Sequence, residues 1–336
     1  MTIRMPAEWE SHEWLWIGYP WNAAEWGGAE TLARAQAQIC AFADAVRADG
    51  KGEQIRLVCN DQASAIHARA LLNSDAQIVV ERIGDVWLRD TGPICVVDSM
   101  GARSLADFRF NGWGGKYEMP GDEDIGARLA ATTPLPCHPA PFVFEGGAVD
   151  TDGTGLFVTT EDCLLNPNRN PGLDKRQIET LLAGSLGLRD MLWLRDGLVN
   201  DHTDGHVDNL ARFVAPGVIA IPQATTDDDP NAAIYADAIA RAQAHCLTVA
   251  PMPSPGRVEV GGAIIPASYM NFFIGNAAVV VPLYGRANDD AALDALKPFF
   301  PDRELVGLPA DAILAGGGSF HCTSQQMPAQ VTGNPQ

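Results

Sequence analysis

Residues 55–83, IRLVCNDQASAIHARALLNSDAQIVVERI, read as a complete strand–helix–strand unit. Ile55–Cys59 is a short apolar run that predicts a buried strand, 62–73 a helix, and Gln77–Ile83 a second strand. Just upstream, Leu32, Ala35, Ile39, Phe42 and Val46 recur at alternating spacings of three and four, one apolar face of a helix over 29–49 that ends at Gly50. Comparable units follow, with helices near 122–132, 174–186, 230–243 and 289–298. Strands flank them at Phe142–Phe144, Gly155–Thr160, Met191–Leu194, Val218–Ile221, Leu247–Ala250, Ala278–Pro282 and Glu304–Gly307. From the third helix onward the helices recur about every fifty to sixty residues without a repeated sequence motif, which suggests internal structural repetition and is compatible with an α/β propeller-like ring. No linker of biased composition divides the chain, and the short acidic run Asp227–Asp229 reads as a helix N-terminal signal ahead of Pro230. The expectation is one α/β domain spanning 1–336.

The 336 residues, 46% hydrophobic and 19% charged, can bury a large core, which excludes a disordered chain. With 23 basic and 42 acidic residues the net charge is −19, which disfavours nucleic acid and other phosphate partners and favours a cationic ligand. Cysteines stand at 40, 59, 95, 137, 163, 246 and 322, an odd count without a CxxC pair, so neither a disulfide framework nor a zinc ribbon is expected. The opening MTIRMPAEWESHEW lacks the apolar run of a signal peptide, and no stretch of 18 apolar residues occurs. A cytoplasmic protein with no membrane partner is expected.

Residues that could carry chemistry lie beside glycine at the ends of strand-like runs. In Gly316–Gln326, GGGSFHCTSQQ, Cys322 follows a triple glycine that lets another group approach the backbone, so its thiol is a candidate nucleophile. Asp85–Pro93, DVWLRDTGP, holds Trp87 and Asp90; Phe108–Gly115, FRFNGWGG, places Trp113 between glycines; Phe142–Gly147, FVFEGG, ends an apolar run on Glu145. In Asn200–Asn209, NDHTDGHVDN, an extended backbone would put Asp204, His206 and Asp208 on one face. A metal site built from His202, Asp204, His206 and Asp208 competes with that reading. Glu8–Trp26 is dense in aromatics, as either core or a pocket wall would be. One cysteine opened by glycine, one histidine and repeated acids suit a planar, forked guanidinium, which carboxylates hold bidentately with its carbon in line for a thiolate.

Taken together and in order, MPAEWESHEW, WLRDTGP, FNGWGG, FEGGAVDTDG, TTEDCLLNPNRNP, TDGHVDNLARF, SYMNFFIGNAAVVVP and GGGSFHCTSQQ resemble the agmatine deiminase family. The resemblance covers nearly the whole chain. It implies the five-fold pseudosymmetric α/β propeller of the guanidine-modifying superfamily, and hydrolysis of agmatine to N-carbamoylputrescine and ammonia with no metal or organic cofactor. By motif, Cys322 resembles the nucleophile, His206 the general acid and base, Glu145 its orienting carboxylate, and Asp90 and Asp208 the guanidinium clamps. Trp87 and Trp113 would wall the pocket, with Asp204 a further substrate-binding candidate, and the family suggests a homodimer. His202 stands where many members carry an aspartate, and the chain is shorter around 115–124, so which tail the pocket accepts stays open. An arginine or peptidyl-arginine deiminase, an amidinotransferase and a metal-dependent hydrolase are the competing activities.

Overall fold

The computed structural model describes residues 2–330, and the fold it shows is mixed α/β. Four consecutive stretches of chain repeat one pattern: a strand, an antiparallel neighbour, a crossover containing a helix, and a third strand parallel to the second. The first unit has strands Ile94–Asp98, Arg103–Arg109 and Cys137–Val143 around helix Ile125–Ala131, with Ile3–Arg4 added antiparallel at its edge. The second runs Val149–Thr151, Leu156–Thr160, helix Lys175–Leu186 and Asp190–Leu194. The third runs Arg212–Ala215, Val218–Gln223, helix Ala232–Ala244 and Thr248–Pro253. The fourth runs Phe273–Ile274, Ala278–Leu283, helix Asp289–Leu296 and Glu304–Pro309.

The fifth unit joins the two ends of the chain. Ser324–Pro328 lies antiparallel to His12–Gly18, helix Ala29–Arg47 crosses to the parallel strand Gln54–Cys59, and helix Gln62–Leu71 leads to Gln77–Val80. A separate hairpin pairs Glu259–Val260 with Ala263–Ile264. Most expected helices and third strands therefore exist, with ends moved by a few residues. The strand expected at Phe142–Phe144 instead runs Cys137–Val143, and the second strand of 55–83 stops at Val80. The short leading strands gave no sequence signal, because two to five residues beside glycine-rich turns carry too little periodicity.

Packing links each unit to the next. The helix of the third unit lies against Asp190–Leu194 of the second as well as its own sheet, and the helix of the fourth lies against Thr248–Pro253 of the third. Helix Ala29–Arg47 packs on Ala278–Leu283 and Glu304–Pro309 of the fourth unit, burying the Ala35, Ile39, Phe42 and Val46 stripe that the sequence presents. Apolar burial of this kind contributes roughly 1.5–3 kcal/mol per large side chain. Helix Lys175–Leu186 starts on a capping box, Asp174 accepting from Gln177 N–H while the Gln177 side chain accepts from Asp174 N–H. Among the described residues no helix is long and apolar enough to cross a membrane.

The aromatic stretch at the N-terminus packs as core, and Trp26 backs a residue of the cavity wall. Trp14 and Trp16 are buried on strand His12–Gly18, whereas Trp26 stacks on Trp87 at a centroid separation of 6.1 Å.

Candidate active site

Candidate site residues sit immediately ahead of the leading strands of the units. Asp90 precedes Ile94–Asp98, Glu145 precedes Val149–Thr151, His206 and Asp208 precede Arg212–Ala215, and Cys322 precedes Ser324–Pro328. Hydrogen bonds between these segments fix their relative positions. Arg89 N–H donates to the Cys322 carbonyl at 3.1 Å, and Arg89 Nε donates to the His321 carbonyl at 3.3 Å, so the WLRD turn is tied to the thiol-bearing turn.

Gly147 marks where they converge. A Cβ at this position would lie 2.6 Å from His206 Nδ1, 2.9 Å from Asp90 Oδ1 and 3.1 Å from Asp208 Oδ2, so only a bare backbone fits among the three side chains. Gly147 N–H donates to Asp90 Oδ1 at 3.0 Å, and Trp113 Nε1 donates to Asp90 Oδ2 at 3.0 Å. Trp113 reaches that carboxylate from a left-handed backbone, φ 51°, that few non-glycine residues adopt. Cys322 Sγ is 3.4 Å from Asp208 Oδ2. Gly318 lies equally close: a Cβ there would stand 2.6 Å from the Trp87 ring and 3.2 Å from Cys322 Sγ.

His206 is fully buried, with Nε2 3.2 Å from Glu145 Oε2 and Nδ1 3.6 Å from Asp90 Oδ1. Burial opposes its charge, but Asp90, Cys163 and Glu145 outweigh burial and hold the imidazole well above its usual range. Burial likewise opposes the Glu145 carboxylate, and His206 and Arg169 overcome it and keep that group ionised. Asp90 differs: burial pushes it up to about 6, countered by His206 and reinforced by Asp208 and Glu145. For Asp208 burial is outweighed by His321, whose Nδ1 lies 2.8 Å from Oδ2, and the carboxyl stays low. The Cys322 thiol is pushed well above its usual range by burial and then by Asp208 and Asp90, so in the free protein it is protonated.

Two buried polar atoms in this cluster, His206 Nδ1 and Asp208 Oδ1, have no hydrogen-bond partner. Buried polar atoms are normally satisfied, so Asp208 Oδ1 is a place where a ligand's N–H group fits, and the protonated His206 Nδ1 is one where a water or another acceptor fits. A cavity of about 180 Å³ adjoins the cluster by way of Trp87 and Trp113 and is lined also by Tyr117, His202, Glu25 and Asp85 among others.

Asp204 does not take the place expected for it. The segment is not extended: Asp204 has φ 64°, Gly205 has φ 92°, and Val207–Asn209 is a 3-10 turn, so the shared face of Asp204, His206 and Asp208 does not form. The Asp204 carboxylate pairs with Lys116 Nζ at 2.8 Å and Arg169 Nη1 at 2.5 Å and accepts from Asn168 Nδ2 at 2.9 Å. Nor do His202, Asp204, His206 and Asp208 gather as a metal ligand set; His202 stands on the cavity wall, 6.1 Å from the Tyr117 ring. Among the described residues the donors that do lie within 4.8 Å of one another are Glu145, Cys163 and His206. Arg169 Nε, 2.7 Å from Glu145 Oε1, places a fixed cation beside them.

Sequence reasoning passed over Arg169, His321, Glu8 and Asn271. Arg169 spans Glu145, Asp204 and the Thr203 carbonyl, which its Nη2 reaches at 2.8 Å. His321 joins Asp208 to Glu8, its Nε2 2.9 Å from Glu8 Oε2, and Glu8 in turn pairs with Arg89 and Arg212. All four lie inside the motifs NPNRNP, MPAEWE, SYMNFF and SFHC, but only the fold reveals their partners.

A family model described as Porphyromonas-type peptidyl-arginine deiminase matches residues 4–328. A Marinomonas protein described as a candidate agmatine deiminase is 35% identical over 98% of this chain and 95% of its own. Among solved structures, the agmatine deiminase of Enterococcus faecalis is similar with a TM-score of 0.90 and 31% identity, over 98% of this chain and 97% of that one. A Cys-to-Ser variant of the C. jejuni agmatine deiminase with substrate bound has a TM-score of 0.90 and 27% identity, again over 98% and 97%.

Proposed function

The chain belongs to the Porphyromonas-type peptidyl-arginine deiminase family, and from that premise we propose that it hydrolyses the guanidinium of agmatine to N-carbamoylputrescine and ammonia through a thiouronium on Cys322. The observation that carries this reading is the convergence of Asp90, His206 and Asp208 on the Gly147 backbone, with the Cys322 thiol 3.4 Å from Asp208. Two carboxylates facing one buried space match a forked cation, and the thiol is placed to attack its carbon.

Asp90 and Asp208 hold the guanidinium, and its charge offsets the carboxylates that keep Cys322 protonated, so the thiol gives up its proton to water as substrate binds. The thiolate attacks the guanidinium carbon and forms the C–S bond. His206, kept charged beside Glu145, passes a proton to an amino nitrogen, and ammonia leaves. The neutral imidazole then takes a proton from water as that water attacks the same carbon. Collapse breaks the C–S bond and returns the electron pair to sulfur, and the remaining hydroxyl proton then passes to the thiolate, restoring the thiol and releasing the neutral ureido product.

Agmatine is preferred to arginine because the cavity wall carries Glu25 and Asp85 and no lysine or arginine among its lining residues. An ammonium tail meets complementary charge there; an α-carboxylate meets repulsion. Trp87 and Trp113 wall the cation's path. The five repeated units are read as a five-fold α/β propeller forming a single domain over 1–336, and the protein as a cytoplasmic homodimer, on the family resemblance.

Ammonia release from agmatine, arginine and a peptidyl-arginine, by the protein and by Cys322→Ser, tests the reading. Turnover of agmatine that vanishes in the variant is expected. Preference for another guanidine overturns the substrate, and activity surviving in Cys322→Ser overturns the mechanism. Product formed only when an amine acceptor is supplied would indicate amidino transfer instead.

A further inference from the structure

Asn271 lies just ahead of Phe273–Ile274, the leading strand of the fourth unit, at the position that supplies site residues from the other units. Its side chain is almost fully buried, and both ends of the amide are engaged with the nucleophile. Oδ1 accepts from Cys322 N–H at 3.2 Å, and Nδ2 is 2.9 Å from Cys322 Sγ and 3.1 Å from Asn209 Oδ1. Because the oxygen must accept from a backbone N–H, the orientation of the amide is fixed and the nitrogen faces sulfur. Asn209 is held in turn, its Nδ2 donating to Asp201 Oδ2 at 3.2 Å and its carbonyl accepting from Ser268 Oγ at 2.6 Å.

The carboxylates near Cys322, Asp208 at 3.4 Å and Asp90 beyond it, disfavour a negative sulfur; the Ser319 backbone N–H and the buried Arg89 guanidinium favour it, and Asn271 is the side chain that donates to sulfur directly. We infer that Asn271 is a catalytic residue that stabilises the Cys322 thiolate by direct N–H donation, both before attack on substrate and as sulfur leaves the hydrolysed adduct. A neutral donor suits this role. A cation in its place would be neutralised by Asp208 or would repel the guanidinium, whereas an amide favours the anion and leaves the substrate's charge unopposed. In the second half-reaction the C–S bond breaks with its electron pair going to sulfur, while the water proton resides on His206. At that moment the donor at 2.9 Å gains an ionic acceptor. In the thiouronium the sulfur carries no negative charge and the same contact is weak.

The inference rests on the thiol mechanism proposed above, and the experiment separates the two. Asn271→Asp keeps an oxygen for Cys322 N–H and removes the donor; Asn271→Ala removes both. The pH dependence of Cys322 alkylation by iodoacetamide in the free protein requires no turnover, so it remains readable whatever the substrate. In both variants the midpoint is expected to rise by roughly one to two pH units, the worth of a hydrogen bond to a charged group. With agmatine, kcat is expected to fall more than KM rises, and mass spectrometry of acid-quenched Asn271→Asp should show more thiouronium-bearing chain than the unmodified protein. If melting temperatures show that neither variant folds, Asn209→Ala loosens the Asn271 amide from behind and should shift the alkylation midpoint in the same direction by less. An unmoved midpoint in folded variants overturns the inference, even if agmatine is turned over normally.

Discussion

The floor and the mouth of the pocket are built in opposite ways. On the floor, Asp90, Glu145, His206, Asp208 and Cys322 are all buried and each is held by backbone or by a second ion. At the mouth, Glu25, Tyr117 and His202 come from loops and are exposed. Floor positions lie in short turns just ahead of the leading strands, where backbone hydrogen bonds and buried ion pairs hold the side chains, so geometry there is tightly set. Mouth positions depend on loop length and can change without disturbing the sheets. On the proposed reading the chemistry is set by the fold, and the choice of substrate tail by its least constrained segments.

That contrast can be broken most severely at the nucleophile. Cys322→Ser should lower kcat on agmatine by on the order of ten-thousand-fold or more. Steady-state ammonia release measures it, and a loss of only a few fold would mean that the floor is not the reacting centre. Removing the charge that holds His206 comes next. Glu145→Gln is expected to reduce kcat by about 10²–10⁴-fold and to shift the pH profile to lower values, because the imidazole loses one of the carboxylates that raise it.

Asp90 predicts a pH effect whose sign follows from its direction of shift. Its carboxyl is raised to about 6, so the clamp is charged above that pH and lost as pH falls through it. kcat/KM for agmatine should therefore decline roughly tenfold per pH unit below about 6, and Asp90→Asn should flatten that limb at a much lower rate. The smallest effect belongs to the mouth. Glu25→Gln should raise KM for agmatine roughly two- to five-fold, as for an exposed ion pair, with kcat unchanged. A kcat effect as large as that of a floor variant would erase the distinction between the two regions.

The floor was also the part legible in the sequence. Cys322, Glu145, Asp90 and His206 each lie beside glycine in a motif that resembles a known one, and the structure brings them within a few ångströms. Arg169 also lies in such a motif, TTEDCLLNPNRNP, but away from glycine, where nothing singles it out. It lies 24 residues from Glu145 in a segment that reads as an ordinary polar turn, and its importance comes from a carboxylate the fold brings to it. Asn271, 51 residues from Cys322, is hidden for the same reason. Asp204 shows the opposite error: a period-two reading assumed extended backbone, and left-handed Asp204 followed by Gly205 cancels the alternation. The parallel strands and long helices were readable because apolar periodicity repeats within each. The leading strands were not, since Phe273–Ile274 and Val149–Thr151 are too short to show a period.

The pairing of Ser324–Pro328 with His12–Gly18 also bears on the order of synthesis. The segment bearing Cys322 leaves the ribosome after the four other units, long after its sheet partner. Contacts so distant in sequence form late, after the entropy of closing a very long loop has been overcome. On the proposed mechanism, a nascent chain not yet extended through that segment would thus hold carboxylates and an imidazole but no nucleophile, and the reactive centre would come into being only when Ser324–Pro328 docks beside His12–Gly18.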